Sequence, residues 1–115
     1  MVNRIVVGAH YGLLDWLAQR VTAAVMAVYT LILGWALLSG PNLSQEAWRS
    51  LMSGGFMRFI TFLFVACLCY HAWVGVRDIW MDYIKPTGIR LTLHVLTLLM
   101  LVGCAAWAIQ ILWSL

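Results

Sequence analysis

The chain has 115 residues, of which 64% are hydrophobic and 10% charged, with seven basic and four acidic side chains. An ordinary soluble domain is about 45–50% apolar and about 25% charged, so this composition, with a mean hydropathy of +0.94, excludes both a soluble globular protein and a disordered one. A net charge of +3 spread so thinly makes no basic stripe for nucleic acid, and the length leaves room for one domain only, residues 1–115.

In chain order, residues 1–19 are mixed in polarity, with Gly8, Gly12 and Asp15, and read as an interfacial approach to the first span. No charge falls in 21–45, 59–76 or 91–115. A membrane helix needs about 20 largely apolar residues, so each stretch holds one crossing and none holds two. The first span is expected at about 20–39, ending at Gly40-Pro41. It is longer than the apolar region of a cleaved signal peptide, about 7–15 residues, and reads as a retained helix. Ser44 is placed to cap a short helical turn carrying Glu46, Ala47 and Trp48. Ser53-Gly54-Gly55 breaks the chain before a second span at about 56–80, extending toward Tyr83. Pro86 and Gly88 mark a turn, and the third span follows at about 90–113. The apolar runs do not alternate with period two, which excludes a closed barrel. The fold class is an all-α membrane protein with three transmembrane helices.

Three crossings leave the N-terminus and the second connection on one side. Arg4, Arg20, Arg77, Lys85 and Arg90 fall there, against Arg49 and Arg58 opposite. The positive-inside rule then makes the N-terminus cytoplasmic and the C-terminus periplasmic. Cys67, Cys69 and Cys104 lie inside apolar runs, where cysteine packs as a small hydrophobe. Trp16 and Trp80 near one boundary, and Trp35, Trp48 and Trp113 near the other, form aromatic belts. Trp73 and Trp107 sit deeper, as packing residues or walls of a cofactor pocket. Ala23, Ala27, Thr30 and Gly34 form a small-residue stripe on the first span, and Gly103, Ala106 and Gln110 a shorter one on the third. Both are expected to serve internal packing and a partner subunit.

Ionisable residues within a span are costly and mark function. His71 lies six residues inside Arg77, about 9 Å below the cytoplasmic end. Positions 71, 75, 78 and 82 share one helix face. They are His71, Gly75, Asp78 and Asp82. Gly75 would let a flat ligand approach the backbone, and the two carboxylates carry the stripe into the interface. A helix-face histidine is most often a packing residue with a hydrogen bond to its neighbour. In lipid the alternative of an axial haem ligand stands beside it, because imidazole suits iron. A second axial ligand would come from His94 or from a partner subunit, while His10 reads as interfacial. Arg20 is a snorkelling anchor, and its guanidinium is also shaped to pair with a propionate. Tyr83 fits the aromatic belt, or offers a hydroxyl to a quinone carbonyl at the membrane edge. Lys85 and Arg90 are charge anchors. A small proton-coupled transporter is disfavoured, because all four acids sit at or beyond the span ends.

The run His71-Ala72-Trp73-Val74-Gly75, followed by Asp82-Tyr83 and Lys85-Pro86, resembles the signature of the smaller hydrophobic membrane anchor subunits of bacterial succinate dehydrogenase. The resemblance extends to Asp15 and Arg20 and covers the chain. It implies a heteromeric helix bundle with a second, cytochrome b anchor in the bacterial inner membrane, carrying an iron–sulfur and a flavoprotein subunit. The chain would be a non-catalytic subunit of succinate:quinone oxidoreductase, respiratory complex II. His71 would be an axial ligand to a haem b shared with the partner anchor, Arg20 would lie near the propionates, and Tyr83 and Asp82 would line the ubiquinone site. His94 matches no motif of the family. A cofactor-free structural anchor, or a fumarate reductase anchor, would look similar in composition.

Overall fold

A computed structural model describes residues 11–40 and 44–115; Arg4, Gly8 and His10 lie outside them. The described residues form four helices, α1 (Tyr11–Ser39), α2 (Gln45–Ser53), α3 (Gly55–Tyr83) and α4 (Thr87–Trp113). Three are long and apolar enough to cross a membrane, Gly12–Ser39, Gly55–Tyr83 and Thr87–Trp113. The chain is an all-α, multi-pass membrane protein.

The helices outrun the apolar stretches that announce them. α1 has 29 residues, about 43 Å of helix against a hydrocarbon core of about 30 Å. It starts nine residues before Arg20, so the segment expected to approach along the interface is, from Tyr11 on, helical. Asp15 is tolerated there because its charge is paired across the helix seam with Arg77. α3 runs on to Tyr83, and α4 starts at Thr87, directly after Pro86, three residues before Arg90. The Pro86 carbonyl accepts the Arg90 amide at 3.0 Å.

Ser44 caps α2 as its side chain requires, accepting the Ala47 amide at 3.1 Å. Gly54 alone separates α2 from α3 and caps both in extended backbone. Its carbonyl accepts the Arg58 amide at 2.8 Å, opening α3 without a gap.

α3 packs against α1 and α4, whereas α1 and α4 do not pack on each other among the described residues. Thr61, Phe64, His71 and Arg77 of α3 meet α1. Phe62, Cys69, Trp73 and Trp80 meet α4. The three spans form a row with α3 in the middle. The main apolar cluster sits at the α2 end, where Tyr29, Met52, Met57 and Leu112 are buried with Leu33 and Phe64 against them. Tyr29 stacks on Phe64 with ring centroids 4.5 Å apart. Both small-residue stripes face outward. Ala23, Ala27 and Thr30 are exposed, as are Gly103, Ala106 and Gln110, and of the seven residues only Gly34 is half-buried. They are therefore not the internal packing surface the sequence suggested. Larger residues fill that role, because α1 meets α3 through a polar seam.

That seam has three rungs. The Asp15 carboxylate pairs with Arg77, the Thr22 hydroxyl meets His71 Nδ1 at 3.0 Å, and the Tyr29 and Thr61 hydroxyls share a hydrogen bond of 2.7 Å. Asp15, Thr22 and Tyr29 recur every seven residues, the repeat that keeps one face toward a neighbouring helix. In lipid such bonds average about 0.6 kcal/mol, with a maximum of about 1.7. Tyr29→Phe is expected to cost about 0.6 kcal/mol in detergent unfolding of the assembled protein. The loss is small because Thr61 can still bond a carbonyl of its own helix.

Candidate functional site

The end of the α1–α3 seam away from α2 concentrates the polar groups. Val74 is the most buried residue there, 1% exposed, and it fixes the spacing of the two helices. One turn before it, His71 is half-buried and turned toward α1. Its Nδ1 meets Thr22, itself 8% exposed. Its Nε2 makes no hydrogen bond among the described residues.

Beside this contact lies an open cavity of about 570 Å³, lined by Asp15, Trp16, Gln19, Arg20, Val74 and Asp78 among others. Arg77 holds the acidic part of it, pairing with Asp15 and lying 3.7 Å from Asp78. Arg20 has no carboxylate partner among the described residues and rests over the Trp16 ring, 5.4 Å from its centroid. It is the cavity's unneutralised cation. Gln19 Oε1 is buried without a hydrogen-bond partner. The seam thus offers an imidazole nitrogen, a free guanidinium and an unused amide oxygen within one stretch of α1 and α3.

Arg77 reaches Asp15 and Asp78, and not Asp82. Residues five apart are about 140° apart around a helix, and α1 offers the nearer carboxylate. The space at Gly75 was expected to be open to a flat ligand. Among the described residues, a Cβ there would meet the end of the Gln19 side chain, Nε2 at 3.8 Å, an ordinary contact distance.

The other named residues lie apart. Asp82 and Tyr83 end α3 and are exposed, Tyr83 by 77%. Tyr83 is twelve positions past His71, about 18 Å along the helix. His94 lies edge-on to Trp73, with centroids 5.8 Å apart. Trp73 and His71 are two positions apart on α3, about 200° around the axis. The two histidines therefore belong to opposite seams of α3, and His94 does not reach His71 to form a pair. Thr22 and Gln19 were not picked out from the sequence; the seven-residue spacing of Asp15, Thr22 and Tyr29 is the signal that would have found Thr22.

Residues 3–108 match the family of succinate dehydrogenase/fumarate reductase transmembrane subunits. The chain belongs to this family. It is also 37% identical over 102 residues to the succinate dehydrogenase hydrophobic membrane anchor subunit of Coxiella burnetii (strain RSA 493 / Nine Mile phase I), a match spanning 89% of each chain. Family membership makes this chain a succinate dehydrogenase/fumarate reductase membrane anchor subunit, a part of complex II. Its three apolar spans are the anchor itself.

Proposed function

We propose that this chain helps to bind haem b and forms one wall of the ubiquinone site of a bacterial succinate:quinone oxidoreductase. The observation that carries the reading is His71, an ionisable side chain held inside a span by one ring nitrogen while the other has no protein partner among the described residues. An ionisable side chain is costly in lipid, and its free ring nitrogen is a position for a ligand. The donor set fits a haem edge. His71 would supply a nitrogen to the iron and Arg20 a fork for a propionate, with a further ligand coming from a partner anchor. Bound there, haem supplies a one-electron reservoir in the membrane.

The chain's own residues do the rest. Thr22 and Val74 hold the imidazole and close the seam around it. Tyr83, at the exposed end of α3, donates a hydrogen bond to a quinone carbonyl oxygen, a bond that strengthens as that oxygen gains negative charge. Asp82 beside it holds a proton or water near the same oxygen. A flavoprotein subunit oxidises succinate to fumarate, and an iron–sulfur subunit on the cytoplasmic face delivers the electrons. The chain sits in the bacterial inner membrane with its N-terminus cytoplasmic and its C-terminus periplasmic, the orientation favoured by five basic residues against two.

Affinity purification of the tagged chain from membranes tests this. Flavoprotein and iron–sulfur subunits are expected to copurify with a second anchor, with succinate:ubiquinone reductase activity and a reduced-minus-oxidised b-type band. Copurification without the band would leave a cofactor-free anchor. Failure to copurify would overturn the assignment to a quinone-reducing complex.

A further inference from the structure

We propose that Thr22 is a positioning residue that fixes the tautomer of His71, with the proton on Nδ1 and the lone pair on Nε2. The proposal rests on the haem reading above and adds a residue to it.

Thr22 Oγ1 lies 2.6 Å from the Ala18 carbonyl and 3.3 Å from the Gln19 carbonyl, both four or fewer residues back on α1. Carbonyl oxygens only accept, and a hydroxyl has one proton to give. That proton goes to the shorter contact, at Ala18. Toward His71 Nδ1, at 3.0 Å, the Thr22 oxygen can then only accept. Nδ1 must donate, so Nδ1 carries the ring's hydrogen. A neutral imidazole has one such hydrogen, which leaves Nε2 as the free lone pair.

The surroundings hold this arrangement in place. Thr22 is 8% exposed, and Val74, one turn along α3 from His71, is 1% exposed, so no water competes for the hydroxyl. Back-bonding to the i−4 carbonyl is the usual way a threonine satisfies its proton inside a membrane helix. Here it leaves the oxygen's lone pairs aimed at the neighbouring helix. No other side chain bonds His71 among the described residues, so the choice of nitrogen rests on Thr22 alone. A hydrogen bond from Nδ1–H also raises the basicity of Nε2 and favours the higher charge on a bound metal.

The test uses the purified complex with Thr22→Val, Thr22→Ala and Thr22→Ser, read by equilibrium redox titration of the b-type band. Valine keeps the shape and removes the acceptor. Its preference for ferric over ferrous iron is expected to weaken by roughly threefold to tenfold, a shift of about 30–60 mV to more positive potential at 59 mV per tenfold. Serine is expected to stay near the wild-type potential. If the valine complex does not assemble, alanine carries the same expectation in a smaller side chain. A b-type band whose potential is unmoved in the valine or alanine complex overturns the role of Thr22 and leaves the haem reading standing. A wild-type complex without a b-type band overturns both.

Discussion

His71→Ala is expected to abolish the low-spin b-type spectrum of the purified complex, while the flavoprotein and iron–sulfur subunits still copurify. The two outcomes separate because the imidazole's structural contribution is small. Thr22 loses one neighbour at 3.0 Å but keeps its own bond to the Ala18 carbonyl at 2.6 Å. Losing the rung therefore costs about 0.6 kcal/mol of seam stability, too little to dissociate three packed spans. On the haem reading, losing His71 removes a ligand to the iron and changes its coordination outright. Haem content and the reduced-minus-oxidised band, measured on the same preparation, check this. An unchanged low-spin spectrum would mean that the iron is held elsewhere.

Tyr83→Phe gives the second large effect, at the opposite end of α3's polar stretch. The change removes one hydroxyl and leaves the ring. A hydrogen bond to an oxygen that becomes charged contributes about 2 kcal/mol, so kcat/KM for ubiquinone is expected to fall roughly 30-fold. Succinate oxidation with an artificial dye accepting from the flavoprotein or iron–sulfur subunit is expected to be unchanged, because the dye bypasses the quinone site. Tyr83 is 77% exposed, so its removal disturbs no packing within the chain. Equal losses in both assays would point to damaged assembly, and full quinone reductase activity would remove Tyr83 from the site.

The spans were legible because the charges are few, and the gaps between them are the helices. The helix ends were less so. Asp15 looked like a marker outside the first span and Arg20 like its start, yet both lie well within α1. A charge ends a span only where it has no partner, and Asp15 has one on another helix. His71 was legible as a costly residue in an apolar run, and Asp82 and Tyr83 as polar residues at a span end. Thr22 was not, because threonine is common in membrane helices and its meaning depends on what faces it. The partner of Arg77 was hidden for the same reason. Spacing along α3 says which groups share its face, whereas the choice between Asp15 and Asp82 is made by the approach of α1. The arrangement of the spans in a row was also out of reach, since periodicity shows that a helix has an apolar side but not which neighbour covers it.

The three rungs between α1 and α3 have a mechanical consequence. Arg77, His71 and Thr61 meet Asp15, Thr22 and Tyr29 in opposite chain order, so the two helices can match in one register only. A slip of one turn, about 5.4 Å, would separate all three pairs at once, and the Thr22–His71 and Tyr29–Thr61 pairs lie deep in the span, away from water that could replace the lost partners. Piston-like sliding is therefore the motion this seam resists most, and tilting of α1 and α3 as a unit is the motion it permits. The ladder acts as a ruler: it sets how far below the membrane surface the imidazole sits, and keeps that depth constant while the rest of the assembly moves.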